Sequence, residues 1–170
     1  MIRTVIIDDE PSAVNVLAML LEKKCKEDVE IVAASYSPME GMRTTLEVMQ
    51  YLTWCGASTI TFFLLDDPSK AKENYMKFME EAKSVTPENF KERMDAQLTI
   101  IKGCFEKISD EDLISKEVEL PWKESIMLGQ AIIETTVKWL TGYKMQLYLY
   151  MKQNEIKLDT GDCWIYTEEE

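Results

Sequence analysis

The chain contains no histidine. Histidine is the commonest acid–base group near neutral pH and the commonest metal ligand. Its absence excludes His-based nucleophile triads and His-ligated zinc sites. Cysteine is sparse and scattered. The four residues at 25, 55, 104 and 163 make no Cys-x-x-Cys pair, so zinc-ribbon and thioredoxin-type readings fail. They read as reduced, buried thiols of a cytoplasmic protein, with a free reactive thiol as the alternative. Positive charge is also short. Lys and Arg number 19 against 31 Asp and Glu, for a net charge of −12. So acidic a surface repels phosphate backbones, and nucleic acid is not an expected partner. No apolar run approaches the about 18 residues that span a bilayer, so no membrane partner is expected either. The opening Met1-Ile2-Arg3-Thr4-Val5-Ile6-Ile7-Asp8-Asp9 meets an acidic pair after a few apolar residues, unlike a secretory leader. No internal repeat or low-complexity segment is visible.

What is present is globular in composition: 170 residues, 46% hydrophobic and 29% charged. That is enough for one domain, or one domain with an appendage. The first 40 residues differ in texture from the rest. Thr4-Val5-Ile6-Ile7 is a β-branched run suited to a buried strand, and Pro11 fits the first turn of a helix. Val14, Leu17, Ala18, Leu20 and Leu21 give that helix an apolar face, and Lys23, Lys24 and Lys26 suit its C-terminal end. Val29–Ala34 reads as a second strand. The segment 1–38 is thus predicted to be β-α-β, and residues 39–170 a helical domain with an irregular tail after Asn154.

The helical part opens at Ser37-Pro38-Met39-Glu40, a capping box with Pro at the first helical position. One long helix is predicted over 39–65, with Met42, Leu46, Met49, Leu52, Ile60, Phe63 and Leu64 inward. Asp67-Pro68 opens a helix with Tyr75, Phe78, Met79 and Ala82 inward. Thr86-Pro87-Glu88 opens the next, whose spacing is the cleanest in the chain: Phe90, Met94, Leu98, Ile101, Phe105 and Ile108. Ser109-Asp110-Glu111-Asp112 is a helix stop followed by a short capped turn. A last helix is predicted over about 124–152, with Met127, Ile133, Val137, Leu140, Leu147 and Met151 inward. Amphipathic helices joined by short Pro-capped links read as an antiparallel bundle.

Two family resemblances cover different parts of the chain. Val5-Ile6-Ile7-Asp8-Asp9-Glu10-Pro11, with the following helix and Ile31-Val32-Ala33-Ala34, resembles the start of a response-regulator receiver domain. In that family the acidic pair, here Asp8 and Asp9, helps bind Mg²⁺ beside a phosphorylated Asp. Ile60-Thr61-Phe62-Phe63-Leu64-Leu65-Asp66-Asp67-Pro68 faintly imitates the acceptor strand, with Asp66 as acceptor. Its separation from Asp9 is longer than the family's, and no later segment supplies the remaining strands.

Residues 41–170 resemble the DinB/YfiT-like family of bacterial helical-bundle proteins, the damage-inducible bundle and not the polymerase. The segments that carry this are Thr45-Leu46-Glu47-Val48-Met49-Gln50-Tyr51-Leu52, Met94-Asp95-Ala96-Gln97 and Lys138-Trp139-Leu140-Thr141-Gly142-Tyr143-Lys144-Met145-Gln146-Leu147. The resemblance implies a mainly α fold: a DinB-like antiparallel four-helix bundle, here with a short N-terminal β-α-β segment. The family often binds a divalent metal through three His, one on the second bundle helix and two as His-x-x-x-His before Arg-x-Gln-Leu on the last. Lys144 stands for that Arg, while Gln146 and Leu147 are retained. Tyr143 falls at the last His, Trp139 at the one four residues earlier, and Tyr51 at the first (Gln50 if the register slips by one). The i, i+4 spacing puts Trp139 and Tyr143 on one helical face. Indole cannot ligate a metal this way and a neutral phenol is a poor ligand. The expectation is no metal, no cofactor and none of the family's metal-dependent activities.

Tyr51, Trp139 and Tyr143 then either line a ligand pocket or fill the space with packed rings. Trp54, Cys55, Phe62 and Phe63 are either core or a dimer face, since relatives often pair through bundle helices. Two parallel strands and one helix make no stable sheet alone. The 1–38 segment must therefore pair across a homodimer, or lend its helix, with Val14, Leu17, Leu20 and Leu21, to the bundle. The leading expectation is a non-catalytic binding or dimerisation module. The alternatives are a metal-independent transferase-like enzyme of the DinB/YfiT type, with Cys55 as the residue to block, and a phosphorelay receiver using Asp9 and Asp66.

Overall fold

The computed structural model describes residues 34–163, Lys123 excepted. Asp8, Asp9, Cys25, residues 1–33 of the expected β-α-β segment and the acidic end lie outside the described residues. What is described is mainly helical, with one two-stranded sheet.

Helix α1, Thr45–Leu52, starts six residues later than the sequence suggested. Its capping box is Thr44 and Glu47: the Thr44 hydroxyl accepts from Glu47 N at 3.2 Å, and Glu47 Oε2 accepts from Thr44 N at 2.7 Å. The expected box at Ser37 is instead a turn. Ser37 Oγ donates to the carbonyls of Met39 and Met42. Gly41 sits at φ 84°, a left-handed conformation that stops a helix from running through.

The predicted helix 39–65 is also broken in the middle. Thr53 Oγ1 donates to the Gln50 carbonyl at 2.7 Å, competing with the helical ladder. Trp54 is out of helical register at φ −139°. Helix α2, Cys55–Phe63, then restarts in a new direction. Its Ser58, Thr59 and Thr61 hydroxyls fold back onto carbonyls three or four residues earlier, which hides their polarity within the helix. That permits α2 to be buried almost throughout, from Cys55 to Ile60 and again at Phe63.

A turn of 3₁₀ helix at Pro68–Lys70, capped by Asp67, leads into α3, Ala71–Ala82. Of the residues expected inward on α3, Ala82 is buried and Phe78 and Met79 half-buried, but Tyr75 is exposed. Helix α4, Phe90–Phe105, bears out its spacing. Phe90, Met94 and Ile101 are buried, and Leu98, Phe105 and Ile108 half-buried. Ser109 caps α5, Asp110–Ser115, through a reciprocal bond with Asp112, as its sequence suggested.

The region 117–137 departs furthest from expectation. Glu117–Glu119 (β1) pairs antiparallel with Ser125–Met127 (β2), with Val118 opposite Ile126. Both of these lean on the core, while their neighbours face out. Three-residue strands carry no usable periodicity, so the hairpin was invisible as one. Met127, expected inward on a helix, is exposed at the end of β2. Helix α6, Leu128–Ile132, follows, then one turn of π-helix at Ile133–Val137, then α7, Lys138–Gln153. The π turn adds a residue to the winding, which turns Ile133 outward and carries Thr135 and Thr136 inward. The segment after Asn154 is not irregular throughout. It includes α8, Thr160–Cys163, with Leu158 and Cys163 buried.

Helix α1 packs on α7, and α2 on α4, α3 and the π turn. One core cluster gathers Val48, Met49, Leu52, Phe90, Met94, Leu147 and Met151, and a second gathers Ala57, Ile60, Ile101, Leu128, Ala131 and Ile132. Tyr36 joins the first from the N-terminal side. Its ring meets Tyr150 edge-on and its hydroxyl donates to Gln153.

Glu155, just past α7, holds φ 63°. Only glycine adopts that region without a Cβ penalty. Glu155→Gly is expected to raise stability by about 1 kcal/mol, read as a higher midpoint in thermal unfolding.

Candidate functional site

The packing of α1 on α7 places Tyr51 against Tyr143, with ring centroids 4.4 Å apart and planes inclined at 49°. Side chains on a helix lean toward its N-terminus, so Tyr51 leans back toward Arg43, just ahead of the α1 cap. The Arg43 guanidinium lies over both rings, its central carbon 4.6 Å from the Tyr51 centroid and 5.3 Å from that of Tyr143. Its Nη1 donates to the Tyr143 hydroxyl at 2.8 Å. The aromatic chain continues: Tyr51 meets Trp54 edge-on at 5.0 Å, and Trp54 meets Tyr75 edge-on at 5.0 Å. Trp54 is buried, Tyr51 and Tyr143 half-buried, and Tyr75 exposed.

Burial pushes the Tyr51 phenol well above its ordinary range. Cys55, Tyr143 and Tyr75 push the same way, and Arg43 opposes them. The phenol therefore stays protonated at neutral pH, a weak metal ligand but an available donor. Its hydroxyl has no hydrogen-bond partner among the described residues. The fixed positive charge of Arg43 further disfavours a metal cation there.

Of the three residues that the resemblance to DinB-like bundles singled out, Tyr51 and Tyr143 are brought together. Trp139 is half-buried one turn earlier on α7 and makes no ring contact with either tyrosine among the described residues. Lys144, standing for the family's Arg, is buried and donates to the Cys163 carbonyl at 3.1 Å, tying α8 to α7. Asp66 is exposed in the loop after α2. The run that imitates an acceptor strand ends a helix instead: Ile60 and Phe63 are buried about one turn apart on α2, which stops at Phe63. Of the four residues read as either core or a dimer face, Trp54, Cys55 and Phe63 are core, and Phe62 is half-buried and packs against it.

Cys55 has no exposed surface, and burial pushes its thiol up to about 12, with backbone hydrogen bonds at Gly56 and Cys55 pulling the other way. The nucleophile is the thiolate, so Cys55 is inert at neutral pH. Native protein at pH 7.5 is expected to leave Cys55 unmodified by iodoacetamide, while denatured protein is alkylated; mass spectrometry of peptides decides it.

Sequence reasoning missed Arg43, Trp54 and Tyr75 as members of the cluster, and it missed Gln97. Gln97 is buried, and its Oε1 accepts from Gly56 N at 3.0 Å and Ala57 N at 3.2 Å. Its Nε2 donates to the Leu52 carbonyl at 2.8 Å. It thereby caps both sides of the α1–α2 break, where Trp54 offers no side-chain cap. A polar residue three after Met94 and four before Ile101, on an otherwise apolar face, was the available signal. Beside it, a cleft of about 60 Å³ lies between α3 and α4, over Trp54 and Gln97 and rimmed by Glu81 and Arg93. That is far below the about 300 Å³ of a small-molecule pocket.

Among the described residues no group of three or more Cys, Asp or Glu is placed to hold a metal ion. No described helix is long and apolar enough to cross a membrane. No family model matches the chain, and no curated protein matches it.

Proposed function

We propose that this chain is a metal-free, non-catalytic binding module built on a DinB-like antiparallel four-helix bundle. In this reading the broken pair α1–α2 counts as one bundle helix, and α3, α4 and the continuous α6–π–α7 as the other three. The pairing of α1 with α7 and of α2 with α3 and α4 supports it. The observation that carries the functional half is the Arg43 guanidinium stacked on Tyr51 and Tyr143. At two of the three positions where relatives would supply His, this chain has neutral phenols and a fixed cation. A site of that kind holds a ligand by hydrogen bonds and ring faces, and it offers no Lewis acid and no activated nucleophile.

Incubation with Zn²⁺, Ni²⁺ or Mn²⁺ followed by desalting is expected to leave no stoichiometric metal by elemental analysis. Tightly held stoichiometric metal would overturn the proposal. The homodimer implied by the same resemblance belongs to this reading. Sedimentation equilibrium is expected to give twice the chain mass of 19.7 kDa, and a monomer at micromolar concentration would remove that part.

A further inference from the structure

We infer that Arg43, Tyr51 and Tyr143 form a binding site for an oxyanion, a carboxylate or phosphoryl group. The inference rests on the binding-module reading and names its ligand class. It starts from an imbalance of charge. In a chain with 31 acidic and 19 basic residues, an arginine would be expected to find a carboxylate. Arg43 makes no ion pair among the described residues. Glu47, whose carboxylate feels the Arg43 charge, is already engaged by the Thr44 amide in the cap.

Arg43 is nevertheless held in place. Two ring faces and the Tyr143 oxygen fix the guanidinium plane, at the cost of a single N–H donor. The rest of its donors have no partner among the described residues. Ordering the long side chain in advance removes most of the entropy that an arginine loses on binding. A planar guanidinium with unspent donors matches a carboxylate or phosphate in bidentate fashion.

Two hydroxyls add to it. Tyr143 uses its oxygen as an acceptor for Arg43, which leaves its own O–H to donate. The Tyr51 O–H has no partner among the described residues, and burial keeps it protonated. The arrangement presents donors toward a ligand, and the one carboxylate close enough to feel the Arg43 charge, Glu47, is engaged by the Thr44 amide; that is the polarity an oxyanion requires. The opposite reading, a cage of rings for an organic cation, is disfavoured because Arg43 already occupies the ring faces.

The test uses the full chain at low ionic strength. The Arg43 Nε–H and tyrosine ring signals are followed by NMR on titration with sodium benzoate and with inorganic phosphate, and benzylammonium serves as the cationic control. Saturable shifts centred on Arg43, Tyr51 and Tyr143 are expected for one or both anions. A preference for benzoate would identify the source as a carboxylate on a ring that stacks, and a preference for phosphate a phosphoryl group. Arg43→Gln, at an exposed position, is expected to weaken binding by about tenfold or more. Tyr51→Phe, which keeps the ring and removes only the hydroxyl, is expected to weaken it several-fold. The second variant keeps the test decisive if the first perturbs α1. Absence of saturable shifts with either anion would overturn the inference. So would anion binding that survives Arg43→Gln unchanged, or saturable benzylammonium binding. A chain that binds neither anion yet takes up no metal refutes this inference alone, whereas stoichiometric metal refutes the reading beneath it.

Discussion

Gln97→Met is expected to lower the unfolding free energy by about 4 kcal/mol, the sum of three buried polar groups losing partners at roughly 1–3 kcal/mol each, less some relaxation. Methionine nearly matches glutamine in volume, so no cavity term confuses the reading. The Leu52 carbonyl and the Gly56 and Ala57 amides are left without partners where α1 breaks and α2 begins. None of the three has an alternative inside its own helix: the carbonyl ends α1, and the amides lie in the first turn of α2. Urea denaturation with an unchanged slope measures the loss. A loss below about 1 kcal/mol would mean that the break is capped by something other than Gln97.

The second large effect is steric. A Cβ on Gly129, in the first turn of α6, would stand 2.7 Å from the Leu113 carbonyl oxygen. That oxygen belongs to the backbone of α5 and cannot swing away. Gly129→Ala is therefore expected to cost about 3 kcal/mol, as overpacked sites do. The roughly 1 kcal/mol that alanine gains over glycine in a helix is too small to reverse the sign. Gly103, in α4, has nothing within 4 Å of an added Cβ. There the propensity term acts alone, and Gly103→Ala is expected to stabilise by up to about 1 kcal/mol. Opposite shifts of thermal midpoint for the same chemical change would locate the tight contact at α5–α6. Equal shifts would contradict it.

The sequence was legible where burial repeats at a helical period. The face of α4, from Phe90 to Phe105, could be read directly because one continuous helix presents it to both core clusters in turn. The cap at Ser109 was readable because both of its partners lie within four residues. Legibility failed where long-range contacts overrule local signals. The break at Thr53–Trp54 depends on Gln97, more than forty residues away in sequence. The local pattern from Met42 to Leu64 has a helical period throughout, so nothing nearby announces the interruption. The Ser37 box lost to Thr44 because Gly41 takes a left-handed turn between them. The hairpin at 117–127 and the π turn at 133–137 are too short to leave a periodic trace.

The candidate site was half legible. Tyr51 and Tyr143 were named together from a family resemblance, not from any spacing rule, since the residues lie on different helices. Their contact depends on α1 and α7 packing side by side. Arg43 had no sequence signal, because it precedes the helix and reaches the rings only through the length of its side chain. Trp54 and Tyr75 were read as a possible dimer face and as core. Trp54 is core and Tyr75 is exposed, and the two are successive members of one aromatic chain that runs from the core to the surface.

The central proposal is that Tyr51, Trp139 and Tyr143 stand where a DinB-like bundle would carry its metal ligands. It is tested most directly by putting the ligands back. The triple variant Tyr51→His, Trp139→His, Tyr143→His, with Arg43→Ala to remove the opposing charge, should be titrated with Zn²⁺ by calorimetry beside the parent chain. Stoichiometric binding by the folded variant and none by the parent is the expected result. A variant that keeps its helical circular dichroism yet binds no Zn²⁺ would contradict the claim.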